Sequence, residues 1–222
     1  MTYGKTTNQM LDPERAADFN EIAQTLFFPI YPVIADQILK KTTIDHGSCL
    51  DVGSGPGHLA IALAALSDLN VCAMDNSRHM CRIAEENIKK YEMENRVRAV
   101  FGDVMEIPFS TGSMNLVVSR GSFFFWPNLS RSFSECLRIL RPGGMAYIGG
   151  GFGNARLRDE IIAKMRLRDP EWEEKRNKWS QNCTPQKVRA ALALAGVRDY
   201  DLCKDDSGYW VLFQKPEKYP HR

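Results

Sequence analysis

One segment of the 222-residue chain constrains its fold more than any other, Leu50-Asp51-Val52-Gly53-Ser54-Gly55-Pro56-Gly57. The short apolar run from Ser48 to Val52 predicts a buried strand, and His58 to Leu66 predicts a helix directly after the glycines. Glycine permits a sharp turn between strand and helix and lets backbone N–H groups approach a ligand closely. The segment therefore predicts a nucleotide-binding loop at the carboxyl end of a strand.

The order of the glycines separates two kinds of nucleotide site. A dinucleotide-binding loop follows the pattern G-x-G-x-x-G, which here would require a glycine at position 58. That position is His58, and the third glycine comes one residue early, at Gly57. Asp51 also differs from the plain apolar strand end of an NAD site. The pattern argues against an NAD-dependent dehydrogenase, which we keep as the alternative enzyme.

Two further carboxylates follow the next two predicted strands. Asp75 closes a strand over Asn70 to Met74, and Gly102-Asp103-Val104 follows a strand over Arg96 to Phe101. Asp75 is placed to accept hydrogen bonds from both hydroxyls of a ribose. Asp103 is placed to accept from an adenine amino group while Val104 packs on the ring. Each residue alone also suits a capping or turn role, but three such features at successive strand ends are typical of the ligand edge of an open α/β sheet.

The rest of the chain alternates helix-like and strand-like segments, which is typical of a parallel sheet wrapped by helices. Two helices are predicted within residues 1–41, and the whole chain, 1–222, is predicted to form one domain. The later predicted elements are a helix from Ser77 to about Tyr91, a strand over Met114 to Ser119, a helix from Asn128 through Leu140, a strand over Met145 to Gly149, a helix over Thr184 to Ala195, and a hairpin of Tyr200 to Lys204 with Tyr209 to Gln214.

Residues 151–182 interrupt this alternation. The segment leaves the fifth predicted strand and sets Trp172 and Trp179 among charged residues. We expect an inserted helical cap over the acceptor side of the site, with Gly149-Gly150-Gly151 and Gly153 as a flexible exit. Two alternatives stay open: a solvated helix with the tryptophans packed beneath it, or a docking surface in a homodimer.

The composition is ordinary for a globular protein, with 44% hydrophobic residues, 25% charged residues and a formal net charge of +2. This weak charge argues against nucleic-acid binding, which usually shows a strongly basic balance. The start lacks a signal-peptide core and no apolar run reaches roughly 18 residues, so we expect a cytoplasmic protein without a membrane partner. Six cysteines and four histidines lack metal-ligand spacing, which predicts reduced core thiols and no metal site.

Four motifs resemble those of class I S-adenosylmethionine (SAM)-dependent methyltransferases. They are Asp51-x-Gly53-x-Gly55-x-Gly57, Asp75, Gly102-Asp103, and Leu140-Arg141-Pro142-Gly143-Gly144. The match covers about residues 32–150 and is to the small-molecule, methyltransferase type 11-like subgroup. The segments Thr25 to Pro32 and Tyr147 to Asn154 also resemble an uncharacterised branch from anaerobic archaea and bacteria. The resemblance implies a Rossmann-like α/β fold: a seven-stranded, mostly parallel sheet of order 3-2-1-4-5-7-6, with strand 7 antiparallel and helices on both faces.

The resemblance also implies a set of residues that bind SAM or its product, S-adenosylhomocysteine. The glycine loop would face the methionine part, Asp75 would hold the ribose, and Ser119-Arg120-Gly121 would lie beneath the cofactor. The full expected set is Tyr31, Asp51, Gly53, Ser54, Gly55, Gly57, Asp75, Asn76, Met80, Gly102, Asp103, Val104, Ser119, Arg120 and Gly121. The family often has an aspartate where Asn115 stands, and an amide at this position can still form local hydrogen bonds.

The implied reaction is methyl transfer to a small-molecule acceptor by in-line displacement, driven by alignment and exclusion of water. The acceptor pocket is expected to be apolar, since Phe123-Phe124-Phe125-Trp126 follows the fourth strand and Phe27 lies in the N-terminal helices. The residues expected to contact the acceptor are Phe28, Tyr31, Phe124 and Trp126.

No general base is evident in the sequence. His58 opens the helix behind the glycine loop and is interpreted as a structural or cofactor-side residue. Arg120 is a candidate to bind the carboxylate of SAM or of the acceptor. Because transfer to a thiol or an anion needs no base, a non-catalytic SAM-binding or regulatory module stays open as the alternative that is not an enzyme.

Overall fold

A seven-stranded sheet organises residues 13–217, the part of the chain that the computed structural model describes. The strands are β1 (His46–Val52), β2 (Asp68–Asp75), β3 (Val97–Phe101), β4 (Met114–Arg120), β5 (Leu140–Gly151), β6 (Tyr200–Asp205) and β7 (Gly208–Gln214). Their order is β3-β2-β1-β4-β5-β7-β6. Strands β1 to β5 are parallel, and β7 runs antiparallel to both of its neighbours. The predicted order and the antiparallel seventh strand are confirmed.

Helices pack against both faces of this sheet. They are α1 (Pro13–Thr25), α2 (Ile30–Thr42), α3 (His58–Leu66), α4 (Arg78–Lys90), α5 (Leu129–Ile139), α6 (Ala155–Arg168), α7 (Trp172–Ser180) and α8 (Pro185–Leu194), with 3₁₀ turns at Phe123–Phe125 and Gln181–Cys183. Successive β4 residues point to opposite faces. Leu116 and Val118 join the cluster under α2 and α3, and Val117 joins the cluster under α5 and α8. The core is therefore two apolar layers with the sheet between them.

Polar side chains fix where several helices begin. The side chains of Ser77, Asn128 and Thr184 each accept a hydrogen bond from a backbone N–H in the first turn of the helix that follows. These bonds satisfy donors that a helix start otherwise leaves unpaired. The predicted helix starts at these three positions are confirmed. Asn154 caps α6 in the same way.

The predicted end of the fifth helix is wrong by one residue, and the fifth strand starts earlier than predicted. Leu140 has extended backbone angles and begins β5, where it pairs with Met114. Gly143 has a φ of 77° and donates its backbone N–H to the carbonyl oxygen of Lys215. These partners are distant in sequence, so the local helical pattern could not reveal them.

The glycines Gly149-Gly150-Gly151 are part of β5 rather than a flexible exit, so that prediction is wrong. They pair with residues 208–210 of β7. A Cβ atom at Gly149 would overlap the carbonyl oxygen of Tyr209, and one at Gly151 would overlap that of Ser207. The absence of side chains therefore lets the antiparallel strand approach closely.

The segment 151–182 holds helices α6 and α7. Ile161 and Met165 of α6 are buried, whereas no residue of α7 is. Arg168 of α6 forms ion pairs with Asp18 and Glu21 of α1. The role of this segment as a cap stays a prediction, as does the single domain over 1–222. Residues 1–12 of the predicted N-terminal segment 1–41 lie outside the described residues.

The fold also shows the state of the cysteines and the length of the apolar helices. The six cysteines are free thiols, all buried except the half-buried Cys203, which agrees with the predicted core thiols. Within residues 13–217, no three His, Cys, Asp or Glu side chains form a group able to hold a metal ion. In the same range no single helix is long and apolar enough to cross a membrane; only α1 and α2 together, bent by 75°, meet that test by length and composition.

Candidate active site

A cavity of about 40 Å³ lies at the carboxyl ends of β1 and β4. Its lining residues are Phe19, Tyr31, Asp51, Gly53, Ser54, Gly55, Pro56, Leu59 and Arg120. All but Phe19, Pro56 and Leu59 belong to the predicted cofactor set. The structure therefore brings the glycine loop, the end of β4 and helix α2 together around one space.

The glycine loop adopts backbone angles that residues other than glycine rarely adopt. Gly53, Gly55 and Gly57 have φ values of 65°, 53° and 83°, in the left-handed region that favours glycine. A Cβ atom at Gly53 would overlap the side chain of Ser122. The loop thus packs directly on the chain that follows β4, and glycine is required at this point.

Asp51, the second-last residue of β1, carries a buried carboxyl group. It is 1% exposed, and within the described residues its Oδ2 atom has no hydrogen-bond partner. Burial and, to a lesser degree, the charge of Asp75 raise the pKa of Asp51, a bond from the Ala60 backbone N–H opposes them, and the resulting pKa is about 7. A buried, unpaired carboxyl oxygen is costly. On a cavity wall it suits a ligand that brings a positive charge or a hydrogen-bond donor.

Arg120 places a half-buried guanidinium on another wall of the cavity. Its Nε and Nη2 atoms donate to the carbonyl oxygen of Gly151 at 3.2 and 3.1 Å. Among residues 13–217 no carboxylate lies within ion-pair distance of it. Tyr31 lies nearby, with the Arg120 guanidinium carbon 5.9 Å from the ring centroid, and burial raises the pKa of its hydroxyl. The cavity therefore offers a ligand one carboxylate and one guanidinium.

Helix α1 forms the outer wall of the cavity, which the sequence analysis did not predict. A Cβ atom at Gly55 would lie 3.4 Å from Cε1 of Phe19. Asn87 of α4 donates to the Pro56 carbonyl oxygen at 2.9 Å and to Asn20 Oδ1 of α1 at 3.1 Å. These bonds hold α1 against the glycine loop. The signal in the sequence is weak: Ala16, Phe19 and Ala23 recur at helical spacing, which predicts an apolar face but not what it covers.

Comparison with known proteins decides the family. A family model described as a methyltransferase domain matches residues 50–148. A protein from Methanococcus maripaludis, assigned to the S-adenosyl-L-methionine-dependent methyltransferases, has a crystal structure that matches with a TM-score of 0.89 and 41% identity, covering 98% of each chain. The chain belongs to the class I SAM-dependent methyltransferases. The resemblance seen in the sequence is confirmed.

Curated relatives of this methyltransferase match over part of their length. One is 2-methyl-6-phytyl-1,4-hydroquinone methyltransferase 1 of Oryza sativa, 29% identical over 65% of this chain and 43% of that protein. Another is the 27-O-demethylrifamycin SV methyltransferase of Amycolatopsis mediterranei, 30% identical over 45% of this chain and 37% of that protein. The chain thus spans about two fifths of the length of these curated relatives.

Asp75, predicted to hold the ribose of SAM, ends β2 beside the glycine loop. Its Oδ2 atom accepts from the backbone N–H of Gly55 at 2.9 Å, and its Oδ1 atom accepts from that of Ser77 at 2.9 Å. Burial raises the pKa of Asp75, and these bonds oppose that rise. The carboxylate therefore ties the loop of the methyltransferase to the start of α4. A carboxylate oxygen accepts more than one hydrogen bond, so capacity for a ligand is left.

The other predicted cofactor residues that follow β1, β2 and β3 or lie in α4 do not line the cavity. Asp103 is exposed, and its Oδ1 atom accepts from the backbone N–H of Met105 at 2.8 Å. Val104 is 9% exposed. Gly102, Asn76, Met80 and Gly57 also lie outside the cavity lining. The assignment of these residues to SAM stays a prediction.

The turn after β4 supports the floor of the site. Ser119 is fully buried, and its Oγ atom lies 2.7 Å from that of Ser122. Ser122 donates in turn to the carbonyl oxygen of Val52 at 2.9 Å. Gly121 has a φ of 84° and donates to the Gly149 carbonyl oxygen at 2.6 Å. Neither Ser119 nor Gly121 lines the cavity, and their contact with SAM stays a prediction.

Of the four residues predicted to contact the acceptor, Tyr31 lines the cavity and the others lie elsewhere. Phe28 stacks on Tyr91, with ring centroids 6.2 Å apart. Trp126 packs on Phe133, and Phe124 is half-buried beside Gly150. The roles of Phe28, Phe124 and Trp126 stay predictions.

Two further polar residues, His58 and Asn115, contact other parts of the protein and do not line the cavity. His58 is 3% exposed, packs against the rings of Phe28, Tyr31 and Tyr91, and has a pKa lowered to about 4, mainly by burial. It is neutral near pH 7. Asn115 accepts from the backbone N–H of Ser48 at 3.1 Å, the kind of local bond expected of this amide.

The charged and polar groups that line the cavity fit the amino-acid part of SAM. That part carries an ammonium and a carboxylate, and the cavity presents the unpaired Asp51 Oδ2 and the Arg120 guanidinium. The Oγ atom of Ser54 is also buried without a partner among the described residues. A carboxyl group, a guanidinium and a hydroxyl together suit a ligand that carries an ammonium, a carboxylate and one further hydrogen-bonding atom.

Proposed function

We propose that this methyltransferase moves the methyl group of SAM onto a small-molecule acceptor by in-line displacement. One observation carries the proposal: the unpaired carboxyl of Asp51 and the guanidinium of Arg120 line the same cavity as the glycine loop. Asp51 would face the ammonium of SAM, and Arg120 with Tyr31 would face its carboxylate. Asp75 would accept from the ribose hydroxyls, with Asp103 and Val104 beside the adenine.

SAM supplies a methyl group that its sulfonium already activates for displacement. The protein's contribution is to align the acceptor with that group and to exclude water. Phe19 and Tyr31 put apolar surface on the cavity wall for this purpose. We assign no general base, because transfer to a thiol or an anion needs none.

Entry of SAM requires part of the wall to move. The cavity measures about 40 Å³, whereas ligand pockets usually measure about 300–1,000 Å³. Helix α1 is the element suited to move, because Phe19 is half-buried and the contacts that would break are polar ones, the hydrogen bonds to Asn87 and the ion pairs to Arg168. Opening of α1 would expose the glycine loop, and closing would seal it.

The relatives support a small acceptor. The hydroquinone and rifamycin methyltransferases are named for small organic molecules. The weak net charge of +2 gives no support for nucleic acid as the acceptor. We place the protein in the cytoplasm without a membrane partner, and we leave its assembly as a monomer or a homodimer to measurement.

The proposal is tested by incubating the protein with methyl-deuterated SAM and a metabolite extract, followed by mass spectrometry. We expect a small-molecule product that is heavier by the labelled methyl group, together with S-adenosylhomocysteine. Binding of SAM without any labelled product from extracts of several growth conditions would instead support a non-catalytic SAM-binding module.

A further inference from the structure

Three aromatic rings meet where α7 begins, next to the residue that follows β5 and to Arg120, which lines the cavity. Phe27, Phe152 and Trp172 have ring centroids 6.3 to 6.5 Å apart in each pair. Phe27 precedes α2, Phe152 follows β5, and Trp172 begins α7. The rings therefore join the predicted cap to the sheet at the rim of the site.

Two guanidinium groups rest on this set of rings. The Cζ atom of Arg120 lies 5.0 Å from the Phe27 centroid and 5.9 Å from that of Phe152. The Cζ atom of Arg176 lies 5.7 Å from the Phe152 centroid and 5.3 Å from that of Trp172. Both arginines thus pack on the Phe152 ring. We call these five residues the arginine–aromatic cluster.

Among the arginines of α6 and α7, Arg176 differs from Arg156, Arg158, Arg166 and Arg168 because it lacks an acidic partner. Glu173, the acidic side chain that influences it, is paired with Arg166 at 2.5 Å. Within the described residues, no carboxylate lies within 4 Å of the Arg176 guanidinium and no hydrogen bond is formed by it. Burial lowers the pKa of Arg176, and the nearby charge of Arg158 adds to this. A half-buried guanidinium held by rings alone keeps its five N–H donors available.

We propose that Arg176 is a specificity-determining residue that binds an oxyanion, a carboxylate or a phosphate, on an acceptor whose apolar body lies against the aromatic rings. The proposal rests on the proposed methyl transfer and names the class of acceptor. Arg120 lines the cavity and is used by the carboxylate of SAM, so the second guanidinium serves the second substrate. A planar guanidinium binds carboxylate and phosphate with paired hydrogen bonds, and the rings hold it in orientation.

The test uses three probes on protein loaded with S-adenosylhomocysteine: benzoate, phenyl phosphate and the neutral benzamide. We expect at least one anionic probe to bind roughly tenfold or more tightly than benzamide by calorimetry. Which anion binds better distinguishes a carboxylate from a phosphate acceptor. Arg176→Gln should abolish the preference, and Arg176→Lys should keep part of it, since charge remains without the planar fork.

A matched control is Lys178→Gln on the same helix. Lys178 is exposed and paired with Glu174 at 2.8 Å, so its loss removes the same charge without touching the rings and should keep the preference. An unchanged affinity for S-adenosylhomocysteine shows that each variant is folded. An equal preference in wild type and Arg176→Gln, or none in wild type, overturns the proposal and leaves Arg176 as a packing residue.

The failure of the Arg176 proposal and the failure of the proposed methyl transfer give different experimental results. A labelled product without an acidic group, from methyl-deuterated SAM and extract, would overturn the role of Arg176 while methyl transfer stands. No labelled product together with a lost anion preference in Arg176→Gln would overturn methyl transfer while the anion site stands.

Discussion

The glycine loop, which lines the cavity, and the helical segment α6–α7, the predicted cap, are built differently. The loop is held by backbone bonds and by buried groups, with Gly53 and Ser54 both donating to the Met74 carbonyl oxygen. In α6–α7, Ile161 and Met165 are the buried residues of α6, and α7 has none. Buried contacts fix geometry, whereas exposed ones contribute little to stability.

The charges of the two regions show the same contrast. Asp51 is buried and Arg120 is half-buried, and within the described residues neither forms an ion pair. In contrast, α6–α7 carries exposed ion pairs such as that of Lys178 with Glu174. Exposed pairs form and break easily in water. The difference indicates a rigid side for the methyl donor and an adaptable side for the acceptor.

The largest expected effect comes from removing the adaptable side. We expect deletion of residues 156–179, bridged by a short glycine linker, to abolish acceptor turnover and to leave SAM binding intact. The reason is that the cavity is lined without these residues. Turnover is followed by labelled-methyl mass spectrometry, and binding by calorimetry. Retained turnover with a changed oligomeric state would show that the segment is a subunit interface instead of a cap.

The next largest effect is expected on SAM affinity, from a change beside the glycine loop. Asp75→Ala should weaken SAM binding about ten- to hundredfold, because a charged acceptor for two hydroxyls is lost, at about 1.5–3 kcal/mol. Asp75→Glu should be milder. The matched control is Asp68→Ala at the other end of β2, where the side chain is 91% exposed, and its affinity should equal wild type. A folded Asp75→Ala protein with unchanged SAM affinity would remove this residue from the site.

Acid is expected to change the stability of the fold around the glycine loop rather than the binding of SAM. Burial lowers the pKa of His58 from 6.5 to about 4. As the pH falls from 6.5 to 4, the unfolded chain takes up a proton that the folded protein does not, so stability decreases. The full loss is about 3 kcal/mol. Free energies of unfolding between pH 7.5 and pH 4 would show it.

Two variants make the acid measurement specific. His58→Phe keeps an aromatic ring among its neighbours and should lose less stability in acid than wild type. His46→Gln, at an exposed histidine, should lose as much as wild type. If His58→Phe follows the wild-type curve, the acid sensitivity belongs to another group.

The sheet was predictable from the sequence where local patterns suffice. Apolar runs gave β1, β2 and β4, and Ser77, Asn128 and Thr184 gave the helix starts, because a cap depends only on neighbours in sequence. The start of β5 at Leu140 was missed, since its pairing with Met114 is long-range. The glycines at 149–151 were misjudged for the same reason: the strand that approaches them comes about sixty residues later.

The site residues that lie close together in the sequence were also predictable, and those brought together by packing were not. Asp51, Gly53, Ser54 and Gly55 lie within one short segment, so their meeting at one cavity follows from sequence order. Phe19 was missed because it reaches the cavity only through packing of α1 on α4 and the loop. Arg176 was missed because the absence of an acidic partner is a property of the folded surface.

The central claim is that the cavity beside the glycine loop binds SAM, and calorimetry tests it most directly. We predict that SAM and S-adenosylhomocysteine bind at micromolar concentrations and that NAD does not. Because the pKa of Asp51 is raised to about 7, binding of a cationic ligand should release a proton and weaken as the pH falls below 7. Asp51→Asn should lose this pH dependence. Tight binding of NAD with no binding of SAM would contradict the account.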